Sequence, residues 1–139
     1  MSDGSRSTGI GSRRAARERA LELLYEAEVK QQEPGELIGQ LPVAPDEFTT
    51  ELVTGVGEHL AELDELIGSY ARGWAVERMP ALDRALLRIG AFELLHRQEI
   101  PTAVSISEAV ELAKRFSTEE SGRFVNGVLA AIAADVRSA

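Results

Sequence analysis

Apolar positions recur at helical spacing along most of the chain. Ala16, Ala20, Leu23, Leu24 and Ala27 fall three and four residues apart and predict the buried face of a first helix, with Ser12 as its N-cap. Phe48, Leu52, Val56, Leu60, Leu63, Ile67 and Tyr70 continue the same rhythm. They predict one long amphipathic helix, with Pro45 in its first turn and Gly73 at its end. Leu82, Leu86, Ile89, Phe92, Leu94 and Leu95 predict a helix from Pro80 to about Arg97, and Ile100-Pro101 breaks the chain after it. Ser105-Ile-Ser-Glu108 and Ser117-Thr-Glu-Glu120 read as capping boxes. The first would open a helix burying Ile106, Ala109, Val110 and Ala113. The second would open a helix burying Val125, Val128, Leu129, Ile132 and Val136. Asn126-Gly127 is a turn pair in isolation, but the apolar spacing runs through it. It therefore reads as helical, with Asn126 hydrogen-bonded inside and Gly127 allowing a close helix crossing.

The rest of the chain reads as connection. Residues 31–45 hold Pro34, Gly35, Pro42 and Pro45, a linker with one helical turn around Glu36–Gln40. Residues 1–11 are rich in Gly, Ser and Thr and read as a disordered tail. No segment alternates with a strand's period, so the expected class is all-α, with about five main helices in one domain over 12–139.

Composition narrows the function. A chain of 139 residues with 44% hydrophobic residues can bury a core without a staple, and no cysteine is present to form a disulfide, a thiolate zinc site or a catalytic thiol. No apolar run reaches the roughly 18 residues of a membrane helix, and the N-terminus lacks a signal-peptide core, so the expected compartment is the cytoplasm. The net charge of −8 argues against nucleic acid until its distribution is read. Residues 1–20 contain Arg6, Arg13, Arg14, Arg17 and Arg19 against Asp3 and Glu18, so the remainder of the chain is more acidic than the total suggests. One end can meet phosphates while the body meets a basic protein.

Catalytic constellations are missing. Neither phosphate-binding glycine motif occurs. His59 and His96 have only Glu62 and Glu93, respectively, at metal-like helical spacing. Both histidines read as surface or partly packed residues, and no metal, cofactor or enzymatic activity is expected. One stripe stands out. Arg14, Arg17, Leu21 and Tyr25 fall on one helical face about 16 Å long, flanked by Arg13. Guanidinium groups bind phosphates and a tyrosine ring stacks on a splayed base, so single-stranded nucleic acid is the ligand this pattern suits. The same pattern also fits a solvated basic face with a core tyrosine.

Several ordered motifs then carry a family likeness. Asp83-Arg84-Ala-Leu-Leu-Arg88, Phe92-Glu93-Leu94-Leu95 and Ile100-Pro101 are followed by Ile106-Ser-Glu108-Ala109-Val110-Glu111-Leu112-Ala113-Lys114 and Phe124-Val125-Asn126-Gly127-Val128-Leu129. That run, with the Arg-rich first helix ending in Leu24-Tyr25, resembles the NusB family from residue 12 to about 133. The resemblance implies two packed three-helix bundles, about 12–73 and 74–139. It implies pairing with the ribosomal protein NusE, binding of single-stranded boxA RNA in ribosomal RNA transcripts, and a place in the RNA polymerase antitermination complex. The RNA-facing positions would be Arg13, Arg14, Arg17, Tyr25 and Asp83, with Glu120, Arg123 and Phe124 where RNA and partner meet. Gly122 departs from the larger polar residue often found there. Two alternatives stay open: a detached helical domain of an rRNA methyltransferase, disfavoured by the lack of a methyltransferase region, and a protein–protein adapter or homodimer.

Overall fold

A computed structural model describes residues 10–137; of the tail expected over 1–11, residues 1–9 lie outside them, and Ile10 and Gly11 already belong to the first helix. The described residues form α1 (Ile10–Val29), α2 (Pro34–Gln40), α3 (Glu47–Glu58), α4 (Leu60–Tyr70), a 3₁₀ turn at Val76–Arg78, α5 (Ala81–His96), α6 (Thr102–Phe116) and α7 (Glu119–Val136). The class is all-α. Among the described residues no helix is long and apolar enough to cross a membrane.

The long helix expected over 45–73 is two helices. Its apolar rhythm is unbroken, but His59 leaves helical geometry at φ −112° and ψ 23° and serves as the C-cap of α3 and the N-cap of α4. Gly57 lies just before the bend, where Pro34 packs so closely that a Cβ would stand 3.3 Å from its ring. Both helices keep their apolar faces inward despite the bend, which is why periodicity alone does not reveal it. Pro45 precedes α3 rather than starting it. Asp46 is the N-cap, accepting from the Thr49 backbone N–H at 3.3 Å. α4 stops at Tyr70, three residues before Gly73, which takes φ +76° in the following turn.

Three other local expectations also move. α1 already runs at Ile10, so Ser12 lies inside the helix and does not cap it. α6 starts behind Pro101, so Ser105 and Glu108 are helix-interior residues whose side chains serve long-range contacts instead of a capping box. At α7 the cap is Thr118, one residue later than expected, and it accepts from Ser121 N at 2.9 Å.

α5 is the central element and packs on α1, α3, α4, α6 and α7. Ten of its 16 residues are buried, as expected of a helix surrounded on most sides. The close approach between α5 and α7 occurs at Gly90, where a Cβ would stand 2.6 Å from a Leu129 methyl group. Gly127, expected to serve this purpose, is exposed and has no atom within 4 Å of an added Cβ. Asn126 is likewise exposed, because the inward face of α7 is Val125, Val128, Leu129 and Ile132.

Candidate nucleic-acid interface

The stripe expected on α1 divides into an exposed part and a buried part. Arg14 is largely exposed, and its Nε donates to both Glu108 carboxylate oxygens at 3.0 and 3.2 Å. Tyr25 is 44% exposed. Between them, Arg17 and Leu21 are buried. Arg17 donates to Glu93 from Nε at 2.7 Å and from Nη2 at 2.9 Å, and Ser105 Oγ donates to the same carboxylate at 2.8 Å. Its guanidinium therefore faces a carboxylate between α1, α5 and α6 and is not on the outer surface. A helical stripe of about 80° spread can straddle the line between core and solvent, and the acidic partners on α5 and α6 decide which arginine turns in. Arg13 is partly exposed and lies over the Phe48 ring at 4.6 Å; Arg17 and Arg97 approach the same ring at 5.3 and 5.2 Å.

Two hollows adjoin at the first turn of α5. One, of about 210 Å³, is lined by Glu18, Leu21, Glu22, Tyr25, Leu82 and Phe116. The other, of about 380 Å³, is lined by Trp74, Met79, Pro80, Asp83, Thr118, Glu120, Ser121 and Phe124. Leu82 and Asp83 are consecutive, so the start of α5 forms the rim between them. Two aromatics border each hollow, Tyr25 and Phe116 one and Trp74 and Phe124 the other, making an aromatic strip of four from a chain with only one Trp, two Tyr and four Phe. Trp74 and Phe124 meet edge to face with centroids 6.1 Å apart. Phe124 is thus part-buried, with its ring shared between core and hollow.

Asp83 is 4% exposed. Its Oδ2 accepts from Ser121 Oγ at 3.0 Å, while its buried Oδ1 has no hydrogen-bond partner. A buried carboxylate oxygen without a donor is costly. Asp83 is one of the residues that line the larger hollow, with Oδ1 itself covered by its neighbours. Glu120 and Arg123 are exposed at the start of α7. Gly122 is buried under the Lys114 side chain, whose Cγ would stand 2.8 Å from an added Cβ. A larger residue at this position would displace the lysine stem. Trp74, Phe116 and Ser121 did not emerge from the sequence reading. Trp74, the only tryptophan, beside a loop glycine, was the one available hint; Phe116 and Ser121 join the strip only through helix packing.

The family model described as the NusB family matches residues 14–134. This chain belongs to the NusB family. Among its relatives, the transcription antitermination protein NusB of Thermobifida fusca (strain YX) is 51% identical over 123 residues, covering 86% of this chain and 87% of the relative. The protein of the same description from Symbiobacterium thermophilum is 43% identical and covers 92% and 93% of the two chains. The fold is similar to that of T. maritima NusB, with a TM-score of 0.81 at 32% identity over 88% of this chain and 91% of that one. It is also similar to a structure of the antitermination factors NusB and NusE in complex with double-stranded RNA, with a TM-score of 0.78, 28% identity, and 90% and 98% coverage.

Proposed function

We propose that this chain is a non-catalytic antitermination factor. In this reading it binds single-stranded, boxA-like RNA of ribosomal RNA transcripts together with a NusE-type ribosomal protein, in the cytoplasmic RNA polymerase antitermination complex. The observation that carries the reading is the aromatic strip, with the buried, partnerless Asp83 Oδ1 beside one of its hollows. Tyr25, Phe116, Trp74 and Phe124 offer stacking faces, and Asp83 offers an acceptor for a base amine or imino group. Arg13, Arg14 and Arg123 supply the phosphate-facing charge in this reading. Arg17 acts through the position of α1 rather than by touching RNA. Glu120 and Phe124 lie at the edge where a partner would extend the site. The relatives' shared description as antitermination proteins supports the role, and the solved assembly of NusB and NusE with double-stranded RNA supports RNA binding and a NusE-type partner, leaving the single-strand preference to rest on the stacking faces.

Net charge explains why a partner is needed. A chain at −8 repels an RNA backbone over most of its surface and attracts a basic protein. The decisive measurement is a pair of titrations of labelled boxA-like RNA, one into this protein alone and one into its complex with NusE. The same sequence as a duplex is the control, since stacking on Tyr25 requires unpaired bases. The expected outcome is tighter single-strand binding by the complex, with a coupling of about 1–3 kcal/mol and an equal tightening of the protein pair by RNA. Equal affinity in both titrations, or preference for the duplex, would overturn the reading.

A further inference from the structure

The chain contains two histidines and no cysteine, and the fold brings both histidines to one spot. His59 stands at the bend between α3 and α4, and His96 is the last residue of α5. Glu62, in the first turn of α4, reaches both rings: its Oε1 lies 3.3 Å from His59 Nδ1 and 3.3 Å from His96 Nε2. One ligand atom from each of the three residues falls within a 4.8 Å cluster. The two imidazoles lie side by side, with centroids 4.1 Å apart and planes 25° apart, so their edges can face a common point. Phe92 underlies both rings at centroid distances of 5.3 and 6.0 Å and gives the cluster an apolar floor. Phe92 is itself held over Gly55, where no Cβ would fit.

From this geometry we infer that His59, Glu62 and His96 form a binding site for a borderline divalent transition metal of the zinc class. Two imidazole nitrogens and one carboxylate oxygen are the ligand set such ions take, leaving further positions to water. With metal–ligand bonds of about 2.0–2.1 Å, the ligands of a tetrahedral site stand roughly 3.3–3.4 Å apart. The two nitrogen–oxygen separations of 3.3 Å match this, and all three ligand atoms lie within 4.8 Å of one another. The side chains are 37%, 53% and 32% exposed, so an ion can enter directly from solvent. The ligands come from the α3–α4 bend itself, from the first turn of α4 and from the last residue of α5. A bound ion would therefore staple the bend of the N-terminal helices to the central helix. The site is separate from the aromatic strip and does not depend on the RNA reading. Hard ions such as Mg²⁺ lack affinity for imidazole and would not occupy it.

The test is isothermal titration of the intact protein with Zn²⁺, alongside His59→Ala, His96→Ala and Glu62→Gln, with Mg²⁺ as the control ion. The expected result is one Zn²⁺ per chain, weakened at least about tenfold by each substitution, and a melting temperature that rises with Zn²⁺ in the parent only. Electron paramagnetic resonance of the Cu²⁺-loaded protein supplies a readout independent of stability, with couplings from two nitrogens falling to one in either histidine variant. The exposed substitutions are expected to leave the helical circular dichroism unchanged, and urea unfolding in the absence of metal checks this. Absence of Zn²⁺ uptake, or equal uptake by a His59→Ala/His96→Ala double variant, would overturn the site and leave the cluster as a hydrogen-bonded imidazole stack.

Discussion

Arg17 and Glu93 form a two-point ion pair inside the protein, with nitrogen–oxygen distances of 2.7 and 2.9 Å and side chains 3% and 1% exposed. The pair locks α1, which carries the exposed arginines and Tyr25, to α5, which carries Asp83. Arg14–Glu108 continues the link to α6. Removing one member of a buried pair strands the other charge. Arg17→Ala is therefore expected to destabilise the fold by about 3–5 kcal/mol. Arg17→Met with Glu93→Leu is expected to restore much of that loss. Urea unfolding of the three proteins measures both effects; a small loss for Arg17→Ala would mean that water reaches the pair.

Tyr25 and Arg14 allow RNA contact to be separated from folding, because both are exposed. Tyr25→Ala is expected to weaken single-stranded RNA binding by about 1–3 kcal/mol with the salt dependence unchanged. Arg14→Gln is expected to lower the slope of log affinity against log salt by about 0.7 for a lost phosphate contact. Fluorescence anisotropy at several salt concentrations reads both quantities. Parental binding by both folded variants would make the exposed part of the stripe a solvated face only.

Asp83→Asn exchanges an acceptor for a donor at the partnerless Oδ1 position while leaving an oxygen for Ser121. The variant should be at least as stable as the parent, since burying a neutral amide costs less than burying a carboxylate. Its RNA affinity should fall, because the amide N–H₂ meets a base donor head on. Reduced stability with intact RNA binding would give Asp83 a purely structural role.

Glu28 links α1 to α5 through Arg84, with Nε to Oε1 at 3.1 Å, and Arg88 approaches at 3.5 Å. The hydrogen bond from Arg84 holds the Glu28 carboxyl below the ordinary glutamate range, against the opposing effect of partial burial and with help from the charges of Arg84 and Arg88. A folded-state pKa below the unfolded one makes the contribution full above the unfolded value and lost as pH falls through the folded one. Stability should therefore decline below the normal glutamate pKa, and Glu28→Gln should flatten that decline while lowering stability at neutral pH. Chemical denaturation at a series of acidic pH values provides the comparison.

Two glycines should respond in opposite directions. Gly90→Ala places a Cβ 2.6 Å from Leu129 and is expected to destabilise by about 1–3 kcal/mol through overpacking. Gly127→Ala meets nothing within 4 Å in a helix interior and is expected to stabilise by about 0.5–1 kcal/mol. Thermal unfolding of the two variants distinguishes them by the sign of the shift.

The sequence by itself determined the helical class, the inward faces of α1, α5 and α7, and the family. These depend on local apolar period and on motif order, both written along the chain. Tyr25, Asp83 and Phe124 were legible as candidates because the family motifs contain them, and Glu120 and Arg123 because the resemblance runs through the residues just before Phe124. Their grouping was not, since Trp74, Phe116 and Ser121 reach the strip only when α5, α6 and α7 pack. The tertiary structure alone decided that Arg17 faces inward, because its partners Glu93 and Ser105 are 76 and 88 positions away and helical spacing carries no information about them. It alone decided the bend at His59, where the apolar rhythm continues unbroken through a change in chain direction. The same bend places His59 and Glu62 against His96. The spacing of His59 and Glu62 was visible along the chain, but His96, 34 positions beyond Glu62, joins them only because the start of α4 meets the end of α5.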